Sequence, residues 1–164
     1  MWYDPKTIKY PRKIETGIPS QGDLLRIMDE FPEYRYFAIT DYLDEAIKRN
    51  EQIDVASIED KYYSHPVDTC SFKYYLVSHY YLAYYYYFNK LNPRKAVEYL
   101  KLALLDAISY DSASALLIRF YLEGYGVKQS KTKAKKIWLK AREEISSWPH
   151  RYEIHPYSVF RMEL

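Results

Sequence analysis

Residues 112–141, SASALLIRFYLEGYGVKQSKTKAKKIWLKA, carry the clearest structural pattern of this sequence. It predicts a helix over Ser112–Glu123, a turn that begins at Gly124, and a second helix capped by Ser130. Each helix carries apolar residues on one face at the helical period: Ala113, Leu116, Leu117, Phe120 and Tyr121 in the first, and Ala134, Ile137, Trp138, Ala141 and Ile145 in the second. Each face must therefore pack against a neighbour.

The apolar stripe of the second helix also occurs 38 residues earlier in the chain. Asn92 and Pro93 predict the start of that earlier helix, because Asn accepts hydrogen bonds from free amides and Pro at the first position loses no intrahelical bond. Its stripe consists of Ala96, Tyr99, Leu100, Ala103 and Ala107. Such a period with two helices per unit is typical of a helical solenoid, so the sequence predicts an all-α fold of stacked helix pairs.

The 164 residues are predicted to form one domain. Residues 1–22, which contain three prolines and two glycines, are interpreted as an extended arm. Residues 23–68 are assigned to N-terminal helices, residues 69–145 to the repeats and residues 146–164 to a tail. The arm and the tail are the segments that could cover the outer faces of the repeats. The predicted helices before the repeats are Leu24–Phe31 after the cap Asp23, Glu33–Arg49, a helix from Asp54 through Tyr63, and a long helix that opens at Thr69 or Ser71 and reaches Phe88.

The turn and its flanks resemble the Sel-one-like repeat, a relative of the tetratricopeptide repeat. The resemblance is carried by Ala113, Ala115, Leu117, Tyr121, Gly124, Gly126, Val127, Lys133, Ala134, Lys140 and Ala141. Ser130 stands where the family prefers Asp, and Ile137 where it prefers an aromatic residue. The preceding unit matches in its second helix, and its first helix lacks the glycines of the turn. The resemblance covers about residues 70–145.

This resemblance implies a short right-handed α-solenoid of antiparallel helix pairs that acts as a protein-binding scaffold. The matching residues are packing positions in that family, so they imply no site by themselves. The expected function is a non-enzymatic protein–protein interaction module in the cytoplasm. The narrower expectation, a bacterial immunity or adaptor protein that neutralises or delivers a toxin or effector, rests on the family analogy alone.

Tyrosine is the most unusual feature of the composition, with 21 residues. Most tyrosines are interpreted as packing between helices, and those of the 74–87 region that do not face inward are interpreted as lining a groove for a partner protein. The partner is expected to be a toxin, an effector or a complex subunit. The predicted partner-binding residues are Tyr80, Tyr84, Tyr85 and Tyr87 in the groove and Lys128, Lys131, Lys135 and Lys136 on its rim.

Two alternative functions are kept open. The run 128–142 contains seven basic residues and no acidic residue, a pattern that could hold nucleic-acid phosphates while tyrosines stack on bases. This alternative is less favoured, because residues 21–60 contain eleven acidic residues against four basic ones. The other alternative is a self-assembling subunit, a possible homodimer, since two units are few for a solenoid.

Other classes are disfavoured by composition. A single cysteine, Cys70, excludes an intramolecular disulfide and a cysteine-cage zinc site. His150 and His155 lie five residues apart, which is not the usual helical spacing of a metal-binding pair, and no cofactor is expected. The sequence contains no run of eighteen apolar residues, so no membrane span is predicted and no membrane partner is expected. No catalytic motif is present, so the chain is not expected to be an enzyme.

Overall fold

The computed structural model describes residues 21–65, 74–149 and 157–164, and all regular structure within them is helical. The all-α class is therefore confirmed. The helices are α1 (Gln21–Glu30), α2 (Arg35–Arg49), α3 (Val55–Tyr62), α4 (Tyr75–Phe88), α5 (Pro93–Ala103), α6 (Ala107–Glu123) and α7 (Lys131–Ser146), with short 3-10 turns at Pro32–Tyr34 and Val159–Arg161.

Three of these helices begin at side-chain caps that the sequence predicts. Asp54 accepts a hydrogen bond from the amide of Ser57 at the start of α3, and Asn92 accepts from two amides at the start of α5. Ser130 accepts from the amide of Lys133 at the start of α7. The three caps lie at a constant spacing of 38 residues, so the period extends one unit further toward the N-terminus than the predicted pair.

The boundary between α5 and α6 differs from the prediction. Helix α6 begins at Ala107 rather than Ser112, because the Asp106 carboxylate accepts a hydrogen bond from the amide of Ile108 and caps the helix there. Helix α5 ends at Ala103, so Ala107 belongs to α6 and is not the fifth member of the α5 stripe.

The first helix also starts earlier than predicted, at Gln21, so Asp23 lies within it rather than at its cap. The rest of the predicted arm, residues 1–20, lies outside the described residues. The predicted helix starts at Thr69 and Ser71, the lone Cys70 and the pair His150 and His155 also lie outside them.

Helix α4 lies at the centre of the structure. It packs along α5 and also contacts α2 and α6, while α6 packs along α7. Every residue from Val77 to Tyr87 is buried, so α4 has no solvent-facing stripe of the kind that an amphipathic helix shows. In the described parts of the chain, no helix combines the length and the apolar character needed to cross a membrane.

The turn between α6 and α7 makes a close contact with the start of α5. A Cβ atom added to Gly126 would lie 2.5 Å from the Pro93 carbonyl oxygen and 2.8 Å from a methyl carbon of Val97, and the φ angle of Gly126 is +70°. Gly124 has a similar φ of +73°, but its added Cβ would lie 3.3 Å from the nearest atom, the Cβ of Gln129. Only Gly126 is therefore required by space as well as by backbone conformation.

We expect Gly126→Ala to lower the free energy of unfolding by about 2–3 kcal/mol, because it combines a left-handed backbone with a clash against Pro93. The matched variant Gly124→Ala meets only the backbone cost, about 1–2 kcal/mol. Urea unfolding followed by circular dichroism measures both. Equal losses in the two variants would contradict the close approach of this turn to α5.

Candidate functional site

The four tyrosines predicted to line a partner groove lie in the interior. Tyr80, Tyr84, Tyr85 and Tyr87 are all on α4, and none is more than 4% exposed. The prediction that they form an accessible binding surface is wrong for this structure. The physical reason is that α4 is covered by helices α2, α5 and α6, so positions on opposite faces of the helix are buried alike.

Two of these tyrosines bind polar groups of neighbouring segments. The hydroxyl of Tyr85 accepts a hydrogen bond from the amide of Ile53, at 3.0 Å, in the segment before α3. The hydroxyl of Tyr87 lies 2.7 and 2.9 Å from the two carboxylate oxygens of Glu123 on α6 and donates to that group. The Arg119 guanidinium also binds Glu123, with Nε 2.6 Å from one oxygen. These tyrosines join α4 to its neighbours.

Hydrogen bonds between tyrosine and carboxylate recur across the structure. Each joins two helices, since the phenol and the carboxylate come from different ones. The pairs are Tyr62 with Asp29, Tyr86 and Tyr99 with Glu59, Tyr87 with Glu123, and Tyr110 with Glu144. The sequence signal that accompanies this arrangement is a high tyrosine content together with acidic residues on otherwise apolar helix faces. Sequence reasoning did not connect the two.

Glu59 is the most buried of these carboxylates, at 7% exposure. One of its oxygens accepts a hydrogen bond from the Tyr86 hydroxyl at 2.5 Å. The other accepts from the Tyr99 hydroxyl and from the half-exposed Lys95 ammonium, whose nitrogen lies 2.5 Å away. Burial, followed by the hydrogen bond to Glu59, raises the pKa of both Tyr86 and Tyr99. Both phenols therefore keep their protons and donate, and the cluster joins α3, α4 and α5.

His79 lies beside this cluster on α4 and is also buried. Its ring contacts the rings of Tyr63, Tyr75 and Tyr99 edge-on, at centroid distances of 5.2, 4.7 and 5.5 Å. Its Nδ1 donates to the main-chain oxygen of Tyr75 at 2.7 Å. Burial lowers the pKa of His79 to about 4, so the imidazole is neutral at physiological pH.

Protonation of His79 is expected to destabilise the fold. The unfolded chain binds a proton near pH 6.5 and the folded chain only near pH 4, so stability is complete above about pH 6.5 and falls as the pH drops toward 4. The expected loss is roughly 2–3 kcal/mol between pH 7 and pH 4. Urea unfolding at several pH values measures it, with His79→Gln as the control that lacks a titrating ring. An identical pH profile for both proteins would rule out this role of His79.

In the described part of the chain, five of the exposed large apolar side chains come from residues 27–37 and from Tyr74. We call them the aromatic patch: Ile27 (39% exposed), Phe31 (50%), Tyr34 (62%), Phe37 (50%) and Tyr74 (36%). Ile27 lies on α1, Phe31 lies between α1 and the 3-10 turn, Tyr34 is in that turn and Phe37 is on α2, so these four side chains come from one short stretch of the chain. The ring of Phe37 contacts that of Tyr74 at a centroid distance of 5.3 Å. The sequence does not predict the patch, because its members come from α1, the 3-10 turn, α2 and Tyr74 and so share no single helical period.

The patch lies in the acidic part of the chain. Five exposed carboxylates are on the same elements: Asp23, Asp29, Glu30, Glu33 and Asp41. Only two basic residues, Arg26 and Arg35, lie between positions 21 and 41, and Arg26 is paired with Asp23 at 3.1 Å. Residues 21–41, which include four members of the patch, therefore carry net negative charge.

The predicted lysine rim is exposed but separate from the tyrosines. Lys128 lies in the turn before α7, and Lys131, Lys135 and Lys136 lie on the first half of that helix. Leu139 on the same helix is half exposed. Because the four α4 tyrosines are interior, the structure does not bring the two predicted sets of residues together in one accessible groove.

Comparison of the chain with protein-family models, with curated proteins and with solved structures finds no match. The Sel-one-like resemblance therefore stays a prediction, and the function has to be inferred from the surfaces of this chain.

Proposed function

We propose that this chain is a non-enzymatic protein–protein interaction module whose docking surface is the aromatic patch. The proposal rests on the exposure of five large apolar side chains, of which four lie within residues 27–37 and the fifth, Tyr74, is in ring contact with Phe37. Exposed patches of this kind mark interaction sites in soluble proteins, and tyrosine is among the residues most enriched at the energetic centres of interfaces.

The charge around the patch favours a particular kind of partner. Because the elements that carry the aromatic patch have net negative charge, charge complementarity favours a partner protein with an apolar centre surrounded by Lys and Arg. Rim charges of this kind mainly affect the association rate and the choice of partner, while the buried aromatic contacts supply affinity. The association rate of such a complex is expected to fall as salt is added.

The repeat architecture supports a scaffold role. Asn92 and Ser130, the caps of α5 and α7, lie 38 residues apart, and α4 packs along α5 as α6 packs along α7. A short solenoid of the helix pairs α4–α5 and α6–α7 would have these features, and we propose that arrangement here. The narrower proposal, a cytoplasmic immunity or adaptor protein of bacterial type that takes a toxin or effector, is supported only by the resemblance to Sel-one-like repeats.

The test isolates a stoichiometric complex from cells that naturally express the chain, identifies the bound protein, and measures its affinity for the purified full chain by calorimetry. Tyr34→Ala is expected to weaken binding roughly ten-fold or more. Leu105→Ala is the matched control, since Leu105 is 72% exposed but lies outside the patch. Unchanged affinity for Tyr34→Ala and for Phe37→Ala would refute the patch as the docking surface.

A second candidate function uses the exposed lysines at the start of α7. Lys128, Lys131, Lys135 and Lys136 are all exposed and could contact nucleic-acid phosphates. Binding of single- or double-stranded nucleic acid would then weaken steeply with salt, and the quadruple change of these lysines to Glu would abolish it. An absence of binding at low salt would remove this candidate. If the quadruple variant instead loses the protein partner, the lysines are the rim of the protein interface.

A further inference from the structure

Residues 157–164, here called the 157–164 segment, lie in a groove formed by α6 and α7. The segment is held mainly by contacts to its main chain. Asp111 on α6 accepts a hydrogen bond from the Val159 amide at 2.8 Å, and Trp138 Nε1 on α7 donates to the Val159 carbonyl at 2.8 Å. The Ser112 hydroxyl donates to the Tyr157 carbonyl at 3.0 Å.

The side chains of the segment alternate in their burial. Tyr157 and Val159 are buried, whereas Ser158 between them is only partly so. The φ and ψ angles of Ser158, −149° and 143°, are those of a strand, and Val159–Arg161 then form the 3-10 turn. The Tyr157 ring packs edge-on against Tyr84 at a centroid distance of 5.6 Å. Tyr84 was predicted to contact a partner, and it contacts this segment of its own chain instead.

One polar side-chain contact adds selectivity at the middle position. The Ser158 hydroxyl donates to the second carboxylate oxygen of Asp111 at 2.7 Å. Beyond it, the Arg142 guanidinium carbon lies 5.9 Å from the centre of the Phe160 ring and 4.6 Å from that of Trp138. The groove thus has one buried subsite filled by the aromatic ring of Tyr157 and another filled by the aliphatic side chain of Val159. Its Asp111 carboxylate binds the Ser158 hydroxyl, and its Arg142 guanidinium lies near the Phe160 ring.

We propose that this groove is a peptide-binding site that the 157–164 segment occupies in cis, and that a segment of a partner protein with the pattern aromatic, Ser or Thr, aliphatic, aromatic replaces it by adopting the same backbone, one extended residue followed by a 3-10 turn. The main-chain hydrogen bonds can be made by any residue other than proline at the Val159 position, so they supply affinity without dictating sequence. The two buried subsites and the Asp111 carboxylate supply the preference. This site is distinct from the aromatic patch, whose members lie between Ile27 and Phe37 and at Tyr74.

Competition from the tethered segment controls the affinity of the site. A peptide added to the wild-type chain must displace a ligand that is already held at high effective concentration, so its apparent affinity is reduced. Weakening the tethered segment leaves Asp111, Ser112 and Trp138 in place and should expose the site. The site is therefore best tested in a full-length variant that changes only the segment.

The experiment uses the labelled peptide Tyr-Ser-Val-Phe-Arg-Met-Glu-Leu, which has the sequence of residues 157–164, and fluorescence anisotropy. The full-length double variant Tyr157→Ser, Val159→Ser is expected to bind it at least roughly ten-fold more tightly than the wild-type chain does. Adding Asp111→Ala to the double variant should remove the binding. The same peptide carrying Val159→Asp should not bind.

Each other result overturns the proposal. A folded double variant that shows no binding up to about 1 mM peptide would mean that the groove does not accept a ligand in trans. A double variant that fails to fold, as judged by circular dichroism, would mean that the segment is a fixed part of the core and not an exchangeable ligand. Binding that survives Asp111→Ala would place the peptide elsewhere on the chain.

Discussion

Replacing Glu59 with alanine is expected to lower the free energy of unfolding by about 3–5 kcal/mol. The change leaves the hydroxyls of Tyr86 and Tyr99 without their acceptor in a region shielded from water, and each such orphaned group costs about 1–3 kcal/mol. The Lys95 ammonium is half exposed and returns to solvent, so it adds little. Urea unfolding of the full chain measures the loss.

Two further variants distinguish the effect of losing the hydrogen bonds of Glu59 from the effect of losing its packing contacts. The triple variant Glu59→Met, Tyr86→Phe, Tyr99→Phe removes every polar member and is expected to lose only about 1 kcal/mol, because no buried polar group is left without a partner. Glu144→Ala is the matched control, since Glu144 also binds a tyrosine but its side chain is 42% exposed. A loss below about 1 kcal/mol for Glu59→Ala itself would show that the cluster does not join the helices.

Trp138→Ala is expected to cost about 3–5 kcal/mol. The indole is 9% exposed, lies under the Arg142 guanidinium and donates to the Val159 carbonyl at 2.8 Å. The change removes a large buried side chain and also loosens the 157–164 segment. Trp138→Phe keeps much of the ring and loses the hydrogen bond, so we expect about 1–2 kcal/mol.

The control for Trp138 is its neighbour Leu139, which is half exposed on α7. Leu139→Ala should change the unfolding free energy by no more than about 0.5 kcal/mol. Thermal or urea unfolding measures all three variants. If Trp138→Ala and Leu139→Ala cost the same, the apolar stripe of α7 is not the face that packs.

The features that the sequence predicts well are local ones. The caps Asp54, Asn92 and Ser130 and the helix-ending Gly124 act within four residues of their own position, so they can be identified without knowledge of the fold. The predicted start of α6 is too late because Asp106 caps the helix, whereas Asp111, five residues further on, offers a competing cap signal immediately before Ser112. The 38-residue spacing between the caps Asp54 and Asn92 can also be read from the sequence, because both residues are predicted caps.

The candidate site was harder to predict, because exposure depends on tertiary contacts. Helix α4 has aromatic or other apolar residues on all sides, so no period separates a core face from a surface face. Tyr80 and Tyr84 were placed in an open groove, yet α4 is covered by helices from distant parts of the chain. Conversely, Phe31 and Phe37 look like core residues in sequence and are half exposed.

The tyrosines of α4 join helices in the interior, whereas the accessible aromatic side chains lie between Ile27 and Phe37 and at Tyr74. Nitration of the full chain with tetranitromethane, mapped by mass spectrometry, distinguishes the two groups. We predict rapid modification of Tyr34, which is the most exposed member of the aromatic patch, and protection of Tyr80, Tyr84, Tyr85 and Tyr87. Modification of the α4 tyrosines as fast as Tyr34 in the folded protein would contradict the account.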